Sequence, residues 1–342
     1  MKAEYKFYSE FDEYEDLKKR NQVDTSTYSL KKLDLMRLSW QVGLYGESKL
    51  AYPLELKEWK MSFIEAFIEE DITNKMLKFK NLDRLETTEK GAVAYFLGMI
   101  CTYAYMYKNW NLKHLLHLNH KDIIVGIVNE KSPDLWGYVD KNESYLVEAK
   151  GSLINAERFE KFKDLKEACA QLNPVYGVKF TYKQEQKDGT VKTESWNFSL
   201  KKLKKMIIGT HPNKDFIVRH EAIDPTSGKN EYIEIDGDKA IHNYYSTIMT
   251  FLIQNKELVQ TEPVRGKEFL VADSAKFPYK IGLLKSLYDV LENKFILDSP
   301  LDLLGLFEEI NKKLEGFDSH FLENDENVSL GNDGIIFMKR KL

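Results

Sequence analysis

Cysteine is scarce in this chain, with two among 342 residues. Cys101 and Cys169 both lie in apolar stretches with helical spacing, so we expect buried thiols and no disulfide. The chain also lacks the closely spaced cysteine pairs that hold a structural zinc ion. The scarcity of cysteine therefore excludes a disulfide scaffold and a cysteine-rich zinc module.

Long hydrophobic runs are scarce as well. The first twenty residues are too polar for a secretory signal peptide. Residues 91–107 are an uncharged run of 17 residues, which is the short limit for a membrane span. The tyrosines of this run are spread along it and are not gathered at its two ends. We therefore expect a buried helix in a soluble, cytoplasmic protein.

Motifs of several enzyme classes are missing. The chain has no GxxxxGK[ST] phosphate loop, because Gly228-Lys229 lacks the upstream glycine and a following Ser or Thr, so we expect no ATPase activity. It has no HExxH motif either. His114, His117 and His120 are spaced by three, a spacing that would suit a transition metal on a helix. Because His120 falls where the helix should give way to a strand, we interpret the three as ordinary polar positions.

Residues 133–150 carry the most informative pattern in the chain. Leu135–Val139 and Ser144–Ala149 are apolar-rich strand candidates, and the Asp-Lys-Asn-Glu run at 140–143 between them is typical of a turn. The pattern predicts a β-hairpin. If the hairpin centres on Lys141, Asp134 lies directly opposite Glu148.

Two directly opposed carboxylates repel each other and are unfavourable in a sheet. A divalent cation between Asp134 and Glu148 would remove the repulsion. Lys150 lies two residues beyond Glu148, so the strand period of two places it on the same face. Two acids and a lysine around a hard cation suit the cutting of a phosphodiester. The alternative is a structural hairpin with acids on its surface.

This segment resembles the PD-(D/E)xK nuclease superfamily, which it matches at Pro133, Asp134, Glu148 and Lys150. The resemblance implies an α/β, restriction endonuclease-like fold with a mixed central sheet and a core in the order αβββαβ. The chain offers candidates for each piece over roughly residues 85–185. Besides the hairpin, they are a helix at 88–107, a strand at Asp122–Val128, a helix at 153–172 and a strand at Val175–Tyr182.

The resemblance also implies a cofactor and further site residues. Mg²⁺, for which Mn²⁺ would substitute, would be held by Asp134, Glu148 and the backbone carbonyl of Ala149. Glu89, at the head of the apolar face of the first helix, matches a glutamate that many members aim at the metal. Its alternative role is a first-turn acid favoured by the helix dipole. Gln171 matches a glutamine near the end of the second helix, and its alternative is a surface residue.

Charge is distributed unevenly along the chain. The net charge is −4, yet residues 150–219 hold 15 Lys and Arg against 8 Asp and Glu, and residues 220–342 hold 14 against 22. A positive surface beside the cleft would suit a phosphate backbone, with DNA favoured over RNA. The alternative is that these cations are solvated helix faces. The candidate contacts are Arg158, Lys161, Lys163, Lys166, Lys201, Lys202, Lys204 and Lys205.

The remaining segments are expected to surround this core. Residues 1–84 are interpreted as a helical extension, residues 85–238 as the nuclease core, and residues 239–342 as a mainly helical interaction or specificity module. The predicted helices outside the core are Tyr28–Gln41, Glu55–Phe67, 240–256, 279–294 and 300–315. The predicted hairpins, expected to extend the central sheet, pair Val178–Lys183 with Val191–Phe198 and Phe216–Ile223 with Glu231–Ile235. The predicted last strand is 334–338.

The sequence thus predicts a Mg²⁺-dependent endonuclease, with restriction or antiphage defence as the setting that the resemblance suggests. The alternative is a non-catalytic subunit with the same fold that binds nucleic acid or a partner protein in a larger assembly. A partner protein that supplies activation or targeting, and a homo-oligomer, are both compatible with the sequence. No membrane partner is expected.

Overall fold

A computed structural model describes residues 1–42, 54–118, 124–126, 133–225, 231–296, 303–319, 322–323 and 325–340. The elements of the first half are β1 (Lys2–Tyr8), α1 (Phe11–Glu15), α2 (Leu17–Gln22), β2 (Ser26–Ser29), α3 (Lys32–Ser39), α4 (Leu54–Phe67), β3 (Ile68–Asp71), β4 (Met76–Phe79), α5 (Thr87–Trp110), β5 (His114–His117), β6 (Ile124–Gly126), β7 (Leu135–Asp140) and β8 (Glu143–Gly151).

The second half continues the alternation of helices and strands. Its elements are α6 (Phe162–Leu172), β9 (Val175–Glu185), β10 (Val191–Ser199), β11 (Leu203–Pro212), β12 (Val218–Ile223), β13 (Glu231–Asp236), α7 (Gly237–Gln254), β14 (Gln260–Val264), β15 (Lys267–Asp273), β16 (Tyr279–Leu284), α8 (Lys285–Ile296), α9 (Leu306–Lys313), β17 (Val328–Leu330) and β18 (Ile335–Lys339).

The largest sheet in the described part of the chain is mixed and has nine strands. Its order is β3-β4-β1-β12-β11-β8-β7-β5, and β2 pairs with β1. Strands β5, β7 and β8 form an antiparallel meander, and β11 adds to β8 in parallel. The expected α/β class with a mixed central sheet is therefore confirmed.

The predicted hairpin is confirmed together with its register. Leu135 pairs with Val147 and Trp136 with Leu146, as predicted. The turn itself differs from the prediction, because Asp140 pairs with Glu143 and the register shifts between Tyr138 and Asp140. The turn is stabilised locally, because the Asn142 N–H donates to the Asp140 carboxylate at 2.7 Å. The shift between the turn and Tyr138 gives the strands the register that was predicted for them.

Helices α5 and α6 cover opposite faces of the sheet at β8. A Cβ added at Gly151 would lie 1.9 Å from the Ala94 carbonyl oxygen of α5. On the neighbouring strand, Gly209 pairs with Lys150. A Cβ at Gly209 would lie 3.0 Å from Phe159, in the loop before α6, and 3.3 Å from Leu165 in α6. Paired residues on neighbouring strands share a face of the sheet, so Lys150 lies on the same face as Gly209, which is covered by α6. Glu148 is two residues from Lys150 and therefore lies on this face too.

The helix expected at 153–172 begins only at Phe162. Tertiary contacts hold the preceding loop in another conformation. The Ser152 N–H donates to the Thr210 carbonyl at 2.9 Å, and the Ala156 N–H donates to the Pro212 carbonyl at 3.2 Å. The predicted start was therefore wrong by nine residues, because the loop is attached to the end of β11.

Two strands predicted within the nuclease core, one before the hairpin and one after the second helix, have different partners from those expected. Strand β9 confirms the prediction at Val175–Tyr182, but it belongs to a separate sheet in the order β10-β9-β13-β6. That sheet also contains Ile124–Gly126, the described part of the strand predicted at Asp122–Val128. In the main sheet, the strand before the hairpin is β5 and the strand after α6 is β11.

The two additional hairpins were only partly predicted. Strands β9 and β10 do pair antiparallel, yet they leave the central sheet. Strands β12 and β13 are not a hairpin, because β12 pairs with β1 and β11 whereas β13 pairs with β6 and β9. Short-range alternation identified these strands but carried no information on which sheet they join.

Strand β5 was missed because its sequence, HLLH, was interpreted as polar positions at a helix end. All four of its residues are buried. The ring nitrogens of His114 lie 2.7 Å from the Tyr138 hydroxyl and 2.9 Å from the Tyr245 hydroxyl. These tyrosines occupy both nitrogens, so His114 is a hydrogen-bonded core residue. His120 lies outside the described residues.

The terminal segments contain more strand than expected. The predicted helices at Tyr28–Gln41 and Glu55–Phe67 correspond to α3 and α4, but residues 1–84 also supply β1–β4 to the main sheet. In the last third, 240–256 and 300–315 correspond to α7 and α9, while 279–284 is strand β16 and the helix starts at Lys285. Strands β14–β18 form a third sheet there, and β18 confirms the strand predicted at 334–338. The descriptions "helical extension" and "mainly helical" were therefore incomplete.

Candidate active site

The hairpin brings Asp134 and Glu148 side by side at one edge of the main sheet. The Asp134 N–H donates to Glu148 Oε2 at 3.0 Å, and the Ala149 N–H donates to Asp134 Oδ2 at 3.0 Å. Each carboxylate thus accepts a backbone hydrogen bond from the strand that carries the other. The predicted opposition of the two acids is present in the structure.

Lys150 completes the group. Its Nζ lies 2.8 Å from Glu148 Oε1, on the face that the strand period predicted. The Glu148 side chain is 1% exposed and the Lys150 side chain is 23% exposed. The acid is therefore held below the surface, while the lysine reaches toward solvent.

The pKa values of Asp134, Glu148 and Lys150 are all raised above their ordinary values. Burial, and then the charge of Asp134, raise the pKa of Glu148 to about 7, against the opposing effect of Lys150. Burial also raises the pKa of Asp134. Burial alone would lower the pKa of Lys150, but the charge and hydrogen bond of Glu148, together with Asp134, raise it instead. Perturbed acids and bases in one group are typical of functional sites.

Asp164 was missed by the sequence analysis. It lies half-buried in the first turn of α6, and its negative charge also raises the pKa of Lys150. Leu165, the next residue, lies against Gly209, the strand partner of Lys150. Had the sequence indicated that α6 starts at Phe162, the acid in its first turn would have been the signal.

The donor set fits a magnesium ion. Among the residues that the structure describes, no group of three or more His, Cys, Asp and Glu side chains surrounds a metal position. Mg²⁺ does not require one, because it is usually held by one or two carboxylates together with water and substrate phosphates. Two adjacent buried carboxylates whose pKa values are raised would gain from a cation that replaces the bound proton.

The Ala149 carbonyl has a suitable direction. The N–H and C=O of a strand residue face the same neighbouring strand, and the Ala149 N–H donates to the Asp134 side chain. The Ala149 carbonyl therefore also faces the side of β7, past Leu135, which is the first residue of that strand. Its role as a metal ligand stays a prediction that this direction supports.

Glu89 and Gln171 have ordinary contacts in this structure. Glu89 is exposed, and its Oε2 accepts the Glu86 N–H at 2.8 Å, which caps α5. This matches the alternative role of a first-turn acid. Gln171 is half-buried in the last turn of α6. A contribution of either residue to the metal or the substrate stays a prediction.

The lysines at 201–205 are poorly placed for the phosphate contacts predicted for them. Lys205 is buried, its Nζ lies 3.4 Å from the Asn173 carbonyl, and burial lowers its pKa to about 8. Lys204 pairs with Glu143 at 2.5 Å. Lys201 and Lys202 are exposed, but the next residue, Leu203, pairs with Ser144 at the opposite end of β8. Six residues of strand separate Ser144 from Lys150, which is roughly 20 Å.

The cations that follow β8 are closer to the acids along the chain. Arg158 and Lys161 lie in the loop between β8 and α6 and are exposed. Arg158 lies 3.5 Å from Glu160. Further along α6, Lys163 pairs with Glu167 and Lys166 with Glu15. The loop cations are therefore better candidates for phosphate contact than the 201–205 group.

Comparisons with known proteins add no assignment: no family model, no curated protein and no solved structure matches this chain. Within the described ranges, no helix is both long enough and apolar enough to cross a membrane. The uncharged run at 91–107 is part of α5, whose second half is buried. The function must therefore be inferred from the site itself.

Proposed function

We propose that this protein is a metal-dependent nuclease that hydrolyses phosphodiester bonds of nucleic acid. The observation that carries the proposal is the convergence of Asp134, Glu148 and Lys150. Two carboxylates share one edge of a sheet, one of them is almost fully buried with a pKa near neutrality, and an ammonium group lies 2.8 Å away. Clustered buried acids are costly without a cation.

The order of elements around the site also supports the proposal. If only the strands of the main sheet are counted, helix α5, the meander β5-β7-β8, helix α6 and strand β11 have the order αβββαβ. Strand β6, between β5 and β7, and strands β9 and β10, between α6 and β11, belong to the second sheet. The order αβββαβ is the one that the resemblance to the PD-(D/E)xK superfamily implies. The strands that fill this order differ from those in the sequence-based assignment, and the order of element types matches only within the main sheet.

The residues have separable roles in this proposal. Asp134, Glu148 and the Ala149 carbonyl would hold Mg²⁺, which when bound polarises a phosphate and lowers the pKa of a water molecule. Lys150 is fixed by Glu148 and would stabilise the negative charge that develops on the phosphate in the transition state. Since Glu148 can exchange a proton near pH 7, metal binding would release protons and weaken at lower pH.

DNA as the substrate, and a role in restriction or antiphage defence, are finer proposals that rest on the resemblance alone. The competing function is a non-catalytic subunit of the same fold that binds nucleic acid or a partner protein. The perturbed acids favour the enzyme, because a binding module gains nothing from two repelling buried carboxylates.

The deciding experiment incubates the purified protein with supercoiled plasmid, linear duplex DNA and RNA, each with Mg²⁺, Mn²⁺ or EDTA. We expect cleavage with either metal and none with EDTA. Thermal unfolding with and without Mg²⁺ gives a second readout, since an ion bound by the folded state raises its stability. Absence of cleavage of every substrate, together with no metal-dependent stabilisation, would overturn the proposal.

A further inference from the structure

The positive charge that the two acids of the site meet in this structure is the ammonium group of Lys150. Its Nζ lies 2.8 Å from Glu148 Oε1, while Glu148 Oε2 accepts the Asp134 N–H at 3.0 Å. Both oxygens of Glu148 thus already have a partner, and one of these partners is a cation. Because like charges repel, a metal ion held by Asp134 and Glu148 favours a position of the ammonium group away from Glu148.

The first turn of α6 lies at the level of Lys150. A Cβ at Gly209, the strand partner of Lys150, would lie 3.3 Å from Leu165 in that turn. At the other end of the helix, the Lys205 Nζ lies 3.4 Å from the Asn173 carbonyl, and Lys205 precedes Gly209 on β11. Helix α6 therefore runs antiparallel to β11 and to its parallel neighbour β8, with its N-terminal turn beside the proposed site.

Asp164 is on the flank of α6 that faces β8. On the opposite flank, the Phe162 ring stacks on the Tyr14 ring of α1 at 6.1 Å, and the Tyr14 ring lies 5.1 Å from the Tyr8 ring of β1. Helix α1 therefore lies over β1, and in the sheet β1 and β8 are on opposite sides of β11. Residues two apart on a helix point in nearly opposite directions, so Asp164 points away from α1 and over β8, toward Lys150.

The carboxylate of Asp164 is available for a further partner. It is half-buried, and within the described part of the chain it has neither a hydrogen bond nor an ion pair. Against the effect of burial, the charges of Glu148, Asp134 and Asp164 all raise the pKa of Lys150. Asp164 is therefore a third carboxylate within electrostatic reach of the ammonium group.

We propose that Asp164 is a positioning residue that receives the Lys150 ammonium group when a divalent cation binds at Asp134 and Glu148. This inference rests on the proposed function. The lysine side chain is flexible enough to move between the two carboxylates, and the exchange of one ion pair for another changes the energy little. The ammonium group thus stays beside the metal site, where it acts on the phosphate, and does not compete with the metal ion for Glu148.

The test is a double-mutant cycle on metal affinity, measured by calorimetric titration of Mn²⁺ at about pH 8 without nucleic acid. Asp164→Asn should weaken Mn²⁺ binding about fivefold, because the ammonium group then has no second carboxylate and stays at Glu148. In the Lys150→Ala background, where no ammonium group has to move, Asp164→Asn should leave Mn²⁺ affinity unchanged. Asp164→Glu should bind Mn²⁺ nearly as the original protein does, because it keeps the carboxylate.

Glu167→Gln is the matched control and should not change Mn²⁺ affinity, because Glu167 is an exposed acid of the same helix that pairs with Lys163. An equal loss caused by Asp164→Asn in both backgrounds would overturn the inference, since it would reflect only the lost negative charge. Unchanged affinity in both backgrounds would overturn it as well. The titration contains no nucleic acid, so it is independent of cleavage. If the protein cuts nucleic acid but Asp164 and Lys150 are not coupled, only the inference fails. If they are coupled but the protein never cuts, only the proposed function fails.

Discussion

At the start of β8, Glu143 accepts hydrogen bonds from Lys204 and from the Tyr145 hydroxyl and remains in contact with solvent. At the other end of the same strand, Glu148 also pairs with a lysine, but it is buried beside Asp134. The hydrogen bonds of Lys204 and Tyr145 lower the pKa of Glu143. Burial and Asp134 raise the pKa of Glu148 to about 7.

The comparison separates an ordinary ion pair from a candidate site. Both glutamates have an ammonium group within 2.8 Å, so a lysine partner alone does not indicate function. The second carboxylate and the loss of solvent change the protonation of Glu148. Glu143 also has an acid, Asp140, as its strand partner, but it stays in contact with solvent and its pKa is lowered. Burial together with the second carboxylate therefore distinguishes Glu148.

The sharpest way to break the comparison is to neutralise each glutamate in turn. Glu148→Gln and Asp134→Asn should each lower cleavage at least about 1,000-fold, because each removes a ligand from a site that has only two acids. Glu143→Gln should leave cleavage within about twofold of the original rate. Turnover of a plasmid or oligonucleotide with Mg²⁺ measures the difference. Equal activity of all three variants would remove the site.

The two lysines should differ in the same way. Lys150→Ala should lower the turnover rate by about 100- to 1,000-fold and leave metal affinity largely unchanged, because its charge matters most in the transition state. Lys204→Ala, at the other end of the strand, should keep the turnover rate. Single-turnover rates combined with calorimetric titration of Mn²⁺ give both quantities. A large loss of Mn²⁺ affinity in Lys150→Ala would assign the lysine to the metal site instead.

Cations near the two ends of β8 should contribute unequally to substrate affinity. Arg158→Ala with Lys161→Ala should weaken nucleic-acid binding about equally for all sequences and reduce the salt slope by roughly one unit per lost phosphate contact. Lys201→Ala with Lys202→Ala should change binding less, since these residues lie at the opposite end of the strand from Lys150. Affinities at several salt concentrations measure this. The reverse ranking would restore the 201–205 group as the phosphate contact.

The smallest expected effect concerns the stability of the metal-free protein. When folding raises the pKa of an acid, the unfolded chain loses the proton at a lower pH than the folded protein does. For Glu148, the folded protein therefore loses stability as the pH rises from the unfolded pKa of 4.5 to the folded pKa of about 7. Glu148→Gln should therefore raise the unfolding free energy by about 1–3 kcal/mol at pH 8 and by less at pH 5.

Glu143 provides the opposite sign. Its pKa is lowered on folding, so the charged form contributes stability that is present above its unfolded pKa and is lost in acid. Glu143→Gln should lower the melting temperature slightly at pH 8. Thermal unfolding in EDTA at both pH values compares the two variants. A melting temperature of Glu148→Gln below that of the original protein at pH 8 would mean that its pairing with Lys150 outweighs the repulsion by Asp134.

The sequence by itself determined the hairpin and the candidate site within it. The turn residues at 140–143 indicated a hairpin, and the strand period of two placed Lys150 beside Glu148. These features depend on residues fewer than twenty positions apart, where local hydrogen bonds and side-chain alternation leave few choices. For the same reason, helices α4 and α5 were predicted to within three residues at either end.

Only the tertiary structure decided which strands share a sheet, where α6 begins and which cations face solvent. Strand β11 joins β8 although about fifty residues separate them in the chain, whereas strand β9, which follows α6 directly, pairs in the second sheet. Alternation specifies that a strand has a buried face, not which strand lies beside it. Lys205 is buried, and its Nζ lies 3.4 Å from the carbonyl of Asn173, which is 32 residues away in the chain. No local pattern encodes such a contact.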